Sequence, residues 1–498
     1  MGTSTKKYLP YLLLLLLSVP LYFIDIADLH AWGDDFAQYI KEAQNIGHGR
    51  PFYLSNYIFN KYNTNYAPPQ YPPGFPLLLA PVIKNWGLSF RAMYYFNSFL
   101  ATCLLFVLFA YFRKYAGIVA SVCLAVLVCY SGRVIDLKGN VLADIPCLIF
   151  VTLYLWQRNM EQHSRRSIAL LILFAVLAIQ MRSQAFFLIV AEGIFLLLVF
   201  IKTSVQEKKI VVRKTLFLSL YIIAGVVTVN LFLNKVIFYS PLSTTDFYKN
   251  IIDEVLSKDL INVAEGSMTY LLKTISAFFY FKTYDGFSKA AVFFITSIGL
   301  TFGITGFIVN ISKRLALDDI FFAVMCVVIL FFPGRDERYF LPAVPILFYY
   351  CYTTFKIILP AITSVKGRGI AIIITLIYLV SGFGYFEKSS AELSYGGIPK
   401  HNDLVALQYI SEHVADSDIV AFSKPRMLTL FTNKRSMNIS WQISLDMNKK
   451  VFDSMHVKYM LVLDGIDDGY FKEYLREVQR PVDSIRISEG YILYSLRH

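Results

Sequence analysis

Eleven apolar runs divide the first 386 residues of this 498-residue chain. They lie near 8–24, 91–112, 116–131, 141–157, 167–180, 184–201, 215–233, 290–311, 319–333, 338–357 and 369–386. A helix needs about 20 mostly apolar residues to cross the hydrocarbon core. In lipid every backbone polar group must be paired within the segment or barrel, and runs this long and continuous pair as helices. The expected fold is therefore an α-helical polytopic membrane protein with about 11 transmembrane helices. Charged residues are only 16% of the chain, against about 25% in soluble domains. Two further stretches, 74–86 and 268–281, are short or interrupted and are expected as interfacial helices.

Basic residues give the orientation. The short segments that fall inside when the N-terminus is cytoplasmic hold 17 Lys+Arg, and the short outer loops hold 5. This is the positive-inside pattern. The first run follows Lys6 and Lys7 and is expected to be an uncleaved first helix. Residues 1–386 then form a transmembrane domain with long outer loops at about 25–90 and 234–289, and residues 387–498 lie outside. The net charge of +12 does not point to nucleic acid, because residues 387–498 hold 14 Lys+Arg against 15 Asp+Glu and the excess lies between the spans. All six cysteines sit in or beside apolar runs without a CxxC and read as small buried hydrophobes.

The tail alternates helix and strand patterns. Helices are expected at 401–414, 444–455 and 470–479, strands at Asp418–Phe422 and Tyr459–Leu463, and a hairpin of Ser484–Ser488 with Tyr491–Leu496 around Glu489-Gly490. A small α/β domain follows from this order. The first outer loop packs six of the 18 prolines into residues 68–81, so that segment cannot run as one continuous helix.

The strongest chemical signal is Gly33-Asp34-Asp35, just beyond the first span. Adjacent carboxylates there can remove a proton from a hydroxyl or hold a divalent cation; an ordinary solvated acidic pair is the plain alternative. Asp144 opens the fourth span in Leu142-Ala143-Asp144-Ile145-Pro146, where capping the helix is an equal reading. Arg133, Asp136 and Lys138 share the outer loop before it. Arg335 and Arg338 flank Asp336-Glu337, and Arg182 marks another outer helix junction. These arginines stand on the side the positive-inside rule disfavours. A phosphate ligand accounts for that, since guanidinium offers a planar fork of donors; headgroup contact or pairing with neighbouring acids is the alternative. Glu192, inside the sixth span, needs a partner such as Arg182 or a polar side chain on another helix. His30 and His48 lack metal spacing, and no P-loop, GxSxG, HExxH or Rossmann fingerprint occurs.

The ordered set Gly33-Asp34-Asp35-x3-Tyr39, Tyr71-Pro72-Pro73-Gly74-Phe75-Pro76-Leu77-Leu78, Leu142-Ala143-Asp144-Ile145-Pro146 and Arg338-Tyr339-x-Leu341-Pro342-Ala343-x-Pro345 resembles the GT-C superfamily of membrane glycosyltransferases. It is most similar to the branch of the protein O-mannosyltransferases, the lipid A aminoarabinose transferase and the bacterial RgtA/B/C/D-like enzymes. The tail segment Lys424-Pro425-Arg426-x3-Leu430-Phe431-Thr432-Asn433-Lys434-Arg435 also looks like the soluble domain of bacterial members. The resemblance implies a polyprenyl-phosphate sugar donor and transfer, usually inverting, to a hydroxyl of an envelope glycolipid, glycan or protein. It implies the periplasmic face of a bacterial inner membrane. It makes the first-loop Asp catalytic, by position Asp34 or Asp35 with Asp34 favoured, and Asp144 the second acid. Arg338, Arg335, Arg182, Arg133 and Lys138 would bind donor phosphate, and Tyr39 and Tyr71 would shape the acceptor side. Some relatives use Mg²⁺ or Mn²⁺, for which Asp34, Asp35 and Asp144 would be the ligands. The alternative is a transporter or flippase for a lipid-linked sugar, but the internal repeats common in transporters are not apparent.

Overall fold

All eleven apolar runs are helical in the computed structural model of the chain. The structure describes residues 3–496 apart from 32, 61, 63–67, 161–163, 207–208, 243–248, 250–252, 254–267, 269, 280–288, 332–335, 360–363, 441–442, 465–468 and 479–480. Most of the second long outer loop therefore lies outside the described residues, as do Gly334 and Arg335.

The helices are α1 (Thr3–Ser18), α2 (Asp35–Gly47), α3 (Gly74–Trp86), α4 (Phe90–Phe112), α5 (Ile118–Cys129), α6 (Gly132–Lys138), α7 (Asp144–Arg158), α8 (Arg165–Met181), α9 (Phe187–Gln206), α10 (Lys209–Phe232), α11 (Lys289–Lys313), α12 (Leu317–Phe331), α13 (Val344–Ile358) and α14 (Val365–Gly396). Among the described residues five stretches are long and apolar enough to cross a membrane, and a sixth if α5 and α6, bent by 59°, make one span. The 15-residue α7 and α12 and the 17-residue α8 fall short of about 20 residues, and each carries charged residues in its first turn. The stretch 74–86 is helical, as is 270–276 within the second expected interfacial segment.

The acid expected inside the sixth span is paired. Glu192 accepts from Tyr154 Oη (2.5 Å), Arg158 Nε (2.8 Å) and Ser219 Oγ (2.8 Å). Its cationic partner is thus Arg158, at the end of α7, and not Arg182. All six cysteines are free.

The tail holds α15 (His401–His413), α16 (Pro425–Thr432), α17 (Leu445–Met455) and α18 (Tyr470–Glu477). They surround a five-stranded sheet of β1 (Ile419–Ala421), β2 (Arg435–Met437), β3 (Val457–Leu463), β4 (Asp483–Ser488) and β5 (Tyr491–Ser495), in the order β2-β1-β3-β5-β4. β1 is parallel to β2 and β3; β5 is antiparallel to β3 and β4. Side chains alternate between the faces of a strand, and two cores result. Val420, Leu461, Leu463, Tyr491 and Leu493 join the core that continues through the helical bundle. Ile419, Ala421, Met460 and Val462 face Phe452, Phe471 and Tyr474 of α17 and α18 in a second core.

The first outer loop is threaded into this tail. His30 and Ile398 exchange backbone hydrogen bonds of 2.7 Å, and Tyr57 pairs with Ser436 alongside β2. Asn60 Nδ2 donates to the Asn438 carbonyl at 3.2 Å, and Ser440 Oγ to the Tyr62 carbonyl at 2.7 Å.

Candidate active site

The site is built where α2 starts. Asp34 occupies the N-cap position of α2, but its side chain does not cap that helix. Oδ1 instead accepts the backbone N–H groups of Arg426 (3.0 Å) and Met427 (3.1 Å) at the start of α16. Helix N-termini have unpaired N–H groups that favour a carboxylate, so Asp34 caps a helix nearly 400 residues away. Its other oxygen, Oδ2, is buried without a hydrogen-bond partner and lies 3.8 Å from Arg426 Nε.

Asp35 turns the other way, toward two guanidinium groups. Its Oδ2 is 2.8 Å from Arg338 Nη2 and its Oδ1 3.3 Å from Arg426 Nη1. Burial drives the Asp34 carboxyl up to about 6, against the opposing pull of Arg426. Burial also opposes ionisation of Asp35, but Arg338 and Arg426 outweigh it and hold that carboxyl below the ordinary range. Two adjacent acids thus differ in proton affinity because burial prevails at Asp34, whose Oδ2 meets no donor, while two arginines prevail over burial at Asp35.

Arg338 sits in the 3₁₀ turn Glu337–Ala343 that leads into α13. Its Nε is 2.8 Å from Asp336 Oδ2, and Asp336 Oδ1 accepts from Arg133 Nη2 at 2.8 Å. Arg133 Nε also faces Glu337 Oε2 at 3.8 Å. Asp144 is the first residue of α7 and makes no side-chain cap; Oδ1 pairs with Arg182 Nη1. The guanidinium groups of Arg182 and Arg338 lie 5.4 and 5.8 Å from the centroid of the Tyr339 ring, a cation–π arrangement. Tyr339 thereby bridges the Asp144–Arg182 pair and the Asp35–Arg338 pair.

The proline-rich segment forms the wall. Tyr39 and Tyr71 stack at 4.4 Å. The Tyr71 N–H donates to Glu42 Oε1 at 3.0 Å, and Gln38 Nε2 donates to Glu42 and to the Pro69 carbonyl. Burial raises the Glu42 carboxyl to about 8. Gly74, after Tyr71-Pro72-Pro73, lets the chain touch the end of α8: a Cβ there would stand 2.5 Å from the Gln180 carbonyl oxygen.

Asp34, Asp35, Tyr39, Tyr71 and Arg338 thus meet directly, with Asp144 and Arg182 joined through Tyr339 and Arg133 through Asp336. Lys138 is not among them. It ends α6 fully buried, and its Nζ donates to the Ile24 carbonyl, turned toward the first helix. Arg335 lies outside the described residues. Arg426 was not among the sequence candidates; its signal was only its place in the tail motif. His30 has both nitrogens engaged, Nδ1 with the Ala31 carbonyl and Nε2 with the Val141 N–H.

The carboxylates do not suit a divalent cation. Asp35 and Asp144 each face guanidinium, Asp34 Oδ1 is taken by two amides, and no three His, Cys, Asp or Glu side chains converge among the described residues.

No protein-family model and no curated protein matches the sequence. Solved structures do. ArnT from Cupriavidus metallidurans bound to undecaprenyl phosphate aligns over 97% of this chain and 97% of its own, at 11% identity and a TM-score of 0.59. The Archaeoglobus fulgidus oligosaccharyltransferase tethered to an acceptor peptide aligns over 93% of this chain and 70% of its own, at 13% identity and a TM-score of 0.57. The same organism's AglB with an inhibitory peptide and a dolichol-phosphate aligns over 92% and 69%, at 13% identity and a TM-score of 0.53. The chain therefore shares its overall fold with these solved structures, ArnT and the archaeal oligosaccharyltransferase.

Proposed function

We propose that the chain is a membrane glycosyltransferase that moves a sugar from a polyprenyl-phosphate carrier to a hydroxyl of an envelope glycolipid, glycan or protein. The observation that carries this reading is the pair Asp34 and Asp35, one with an unengaged carboxylate oxygen and the other bound to two arginines. The carriers bound by the two structural neighbours, undecaprenyl phosphate and dolichol-phosphate, support a lipid-linked donor. In our reading the eleven helical runs are spans, the N-terminus is cytoplasmic, and residues 387–498 form a periplasmic domain at the outer face of a bacterial inner membrane.

In the proposed reaction Asp34 takes the proton of the acceptor hydroxyl through Oδ2. The acceptor oxygen bonds to the anomeric carbon from the face opposite the phosphate, so the configuration inverts. The carbon–oxygen bond to phosphate breaks and its electron pair leaves with the polyprenyl phosphate. Arg338 and Arg182 stabilise that charge. A guanidinium carries five N–H donors, and the pair with Asp144 engages Arg182 only through Nη1. Partly dry surroundings strengthen such contacts. Tyr39 and Tyr71 shape the acceptor side, and Arg133 orients Asp336 behind Arg338.

The test is mass spectrometry of envelope glycans and glycoproteins in a deletion strain, which identifies sugar and acceptor together. Wild-type chain should restore the missing glycan. Asp34→Asn should insert normally and restore about 10²–10⁴-fold less, the usual weight of a general base. Full restoration by Asp34→Asn removes the base assignment.

A further inference from the structure

We infer that Arg426, supplied by the tail, is a positioning residue of the active site that holds Asp34 and Asp35 in separate roles. The inference rests on the transferase reading for its chemistry and on geometry for the residue. The Arg426 side chain is 1% exposed. Its Nη1 lies 3.3 Å from Asp35 Oδ1 and 3.3 Å from the Tyr71 hydroxyl, and its Nη2 donates to the Pro68 carbonyl at 3.0 Å. The guanidinium covers the Tyr57 ring at 4.7 Å and the Tyr71 ring at 5.3 Å. Its own backbone N–H binds Asp34. A buried arginine is costly unless its charge and donors are met, and here they are met by residues of the site itself.

A plain tether does not require this residue. Loop and tail are already joined by Lys41 Nζ to Asn433 Oδ1 (2.7 Å), by Asn56 Nδ2 to the Asn433 carbonyl (2.6 Å) and by the Tyr57–Ser436 pairing. What Arg426 adds is a positive charge between two adjacent carboxylates. It occupies Asp35, lets both acids ionise side by side, and leaves Asp34 Oδ2 as the proton acceptor. The other groups facing Asp34 are Lys424 from the tail, Asp35 on its own helix and the Tyr57 phenol of the loop. None of these replaces Arg426, because Lys424 lacks its contacts with Asp35 and Tyr71.

The test compares Arg426→Gln and Arg426→Lys with Asn433→Gly. The last removes only the side-chain strand of the tether, Lys41 Nζ to Asn433 Oδ1, while keeping the Asn433 carbonyl and the left-handed backbone that Asn433 adopts at φ 58°. Two readouts are taken on the full-length chain. One is infrared titration of the Asp34 carboxyl in purified protein, assigned by its loss in Asp34→Asn. The other is restoration of the missing glycan in the deletion strain. In Arg426→Gln the Asp34 titration should move up by roughly one pH unit or more, the effect of losing a nearby opposite charge. Glycan should fall about tenfold or more. Asn433→Gly should leave the titration in place. Should Arg426→Gln fail to fold, Arg426→Lys keeps the charge and stem but cannot hold Asp35, Tyr71 and Pro68 together; it should lose glycan several-fold. An unmoved Asp34 titration in Arg426→Gln overturns the inference, as does wild-type glycan in folded Arg426→Lys. A wild-type chain that restores no glycan overturns the transferase reading instead and leaves the infrared comparison standing.

Discussion

Asp34 and Asp35 share a peptide bond and little else. Burial raises the first to about 6 while Arg338 and Arg426 overcome burial at the second. If Asp34 is the base, it works only when ionised. Transfer should therefore rise as pH passes upward through about 6, and kcat/KM against pH should show an acidic limb there. Stability has the opposite sign for this residue. Its folded value lies above its unfolded one, so the native state binds more protons between about 4 and 6 and loses that advantage as pH rises. A pH–rate profile flat from 5 to 7 sinks the assignment. At this scale Asp34, Asp35, Asp144, Arg182 and Arg338 were legible, because charged residues at the outer ends of apolar runs stand out against their frame. Arg426 was not legible. The tail has 14 Lys+Arg, and nothing in its local pattern marks which one is buried. Lys138 misled for the converse reason, since its neighbours in sequence do face the site but α6 turns its last side chain inward.

Elements meet here through small residues and short turns. Gly74 starts α3 against the last turn of α8, where a Cβ would strike the Gln180 carbonyl, its oxygen at 2.5 Å and its carbon at 2.7 Å. Backbone cannot swing aside as a flexible side chain can, so Gly74→Ala should cost about 1–3 kcal/mol. Thermal unfolding in detergent should show a lower midpoint for Gly74→Ala, whereas Gly117→Ala, whose added Cβ meets nothing within 4 Å, should melt with the wild type. An unchanged midpoint for Gly74→Ala would mean that α3 and α8 can part without loss. The helices and the β4–β5 hairpin followed from apolar periodicity and from Glu489-Gly490, where Gly490 takes φ 85°. The three-residue β2 and the eight-residue α16 escaped notice, as did α2 and α6 within the outer loops. A three-residue strand is too short to show alternation, and α16 opens on Pro425, which reads equally as a turn.

Across the whole molecule, the order of the eleven runs was plain in the sequence, but not which loop meets which part of the tail. That depends on long-range pairing such as Tyr57 with Ser436, which leaves no local trace. The proposed topology puts both partners on one side of the membrane. A reporter fused after Ser389 should be active only if it works in the periplasm; activity of a cytoplasm-only reporter there would separate the tail from the first loop and end the site. The same pairing sets a timetable. Asp34 and its N–H donors are 392 and 393 residues apart. At the ribosome's pace of about 5–20 residues per second, roughly 20–80 s pass between the synthesis of the carboxylate and that of its cap. Until then the first loop is an unfinished sheet edge beside an uncapped pair of acids. The candidate site is completed only when the segment around Arg426 arrives, and a chain stopped short of it would be a helical bundle with a dormant mouth.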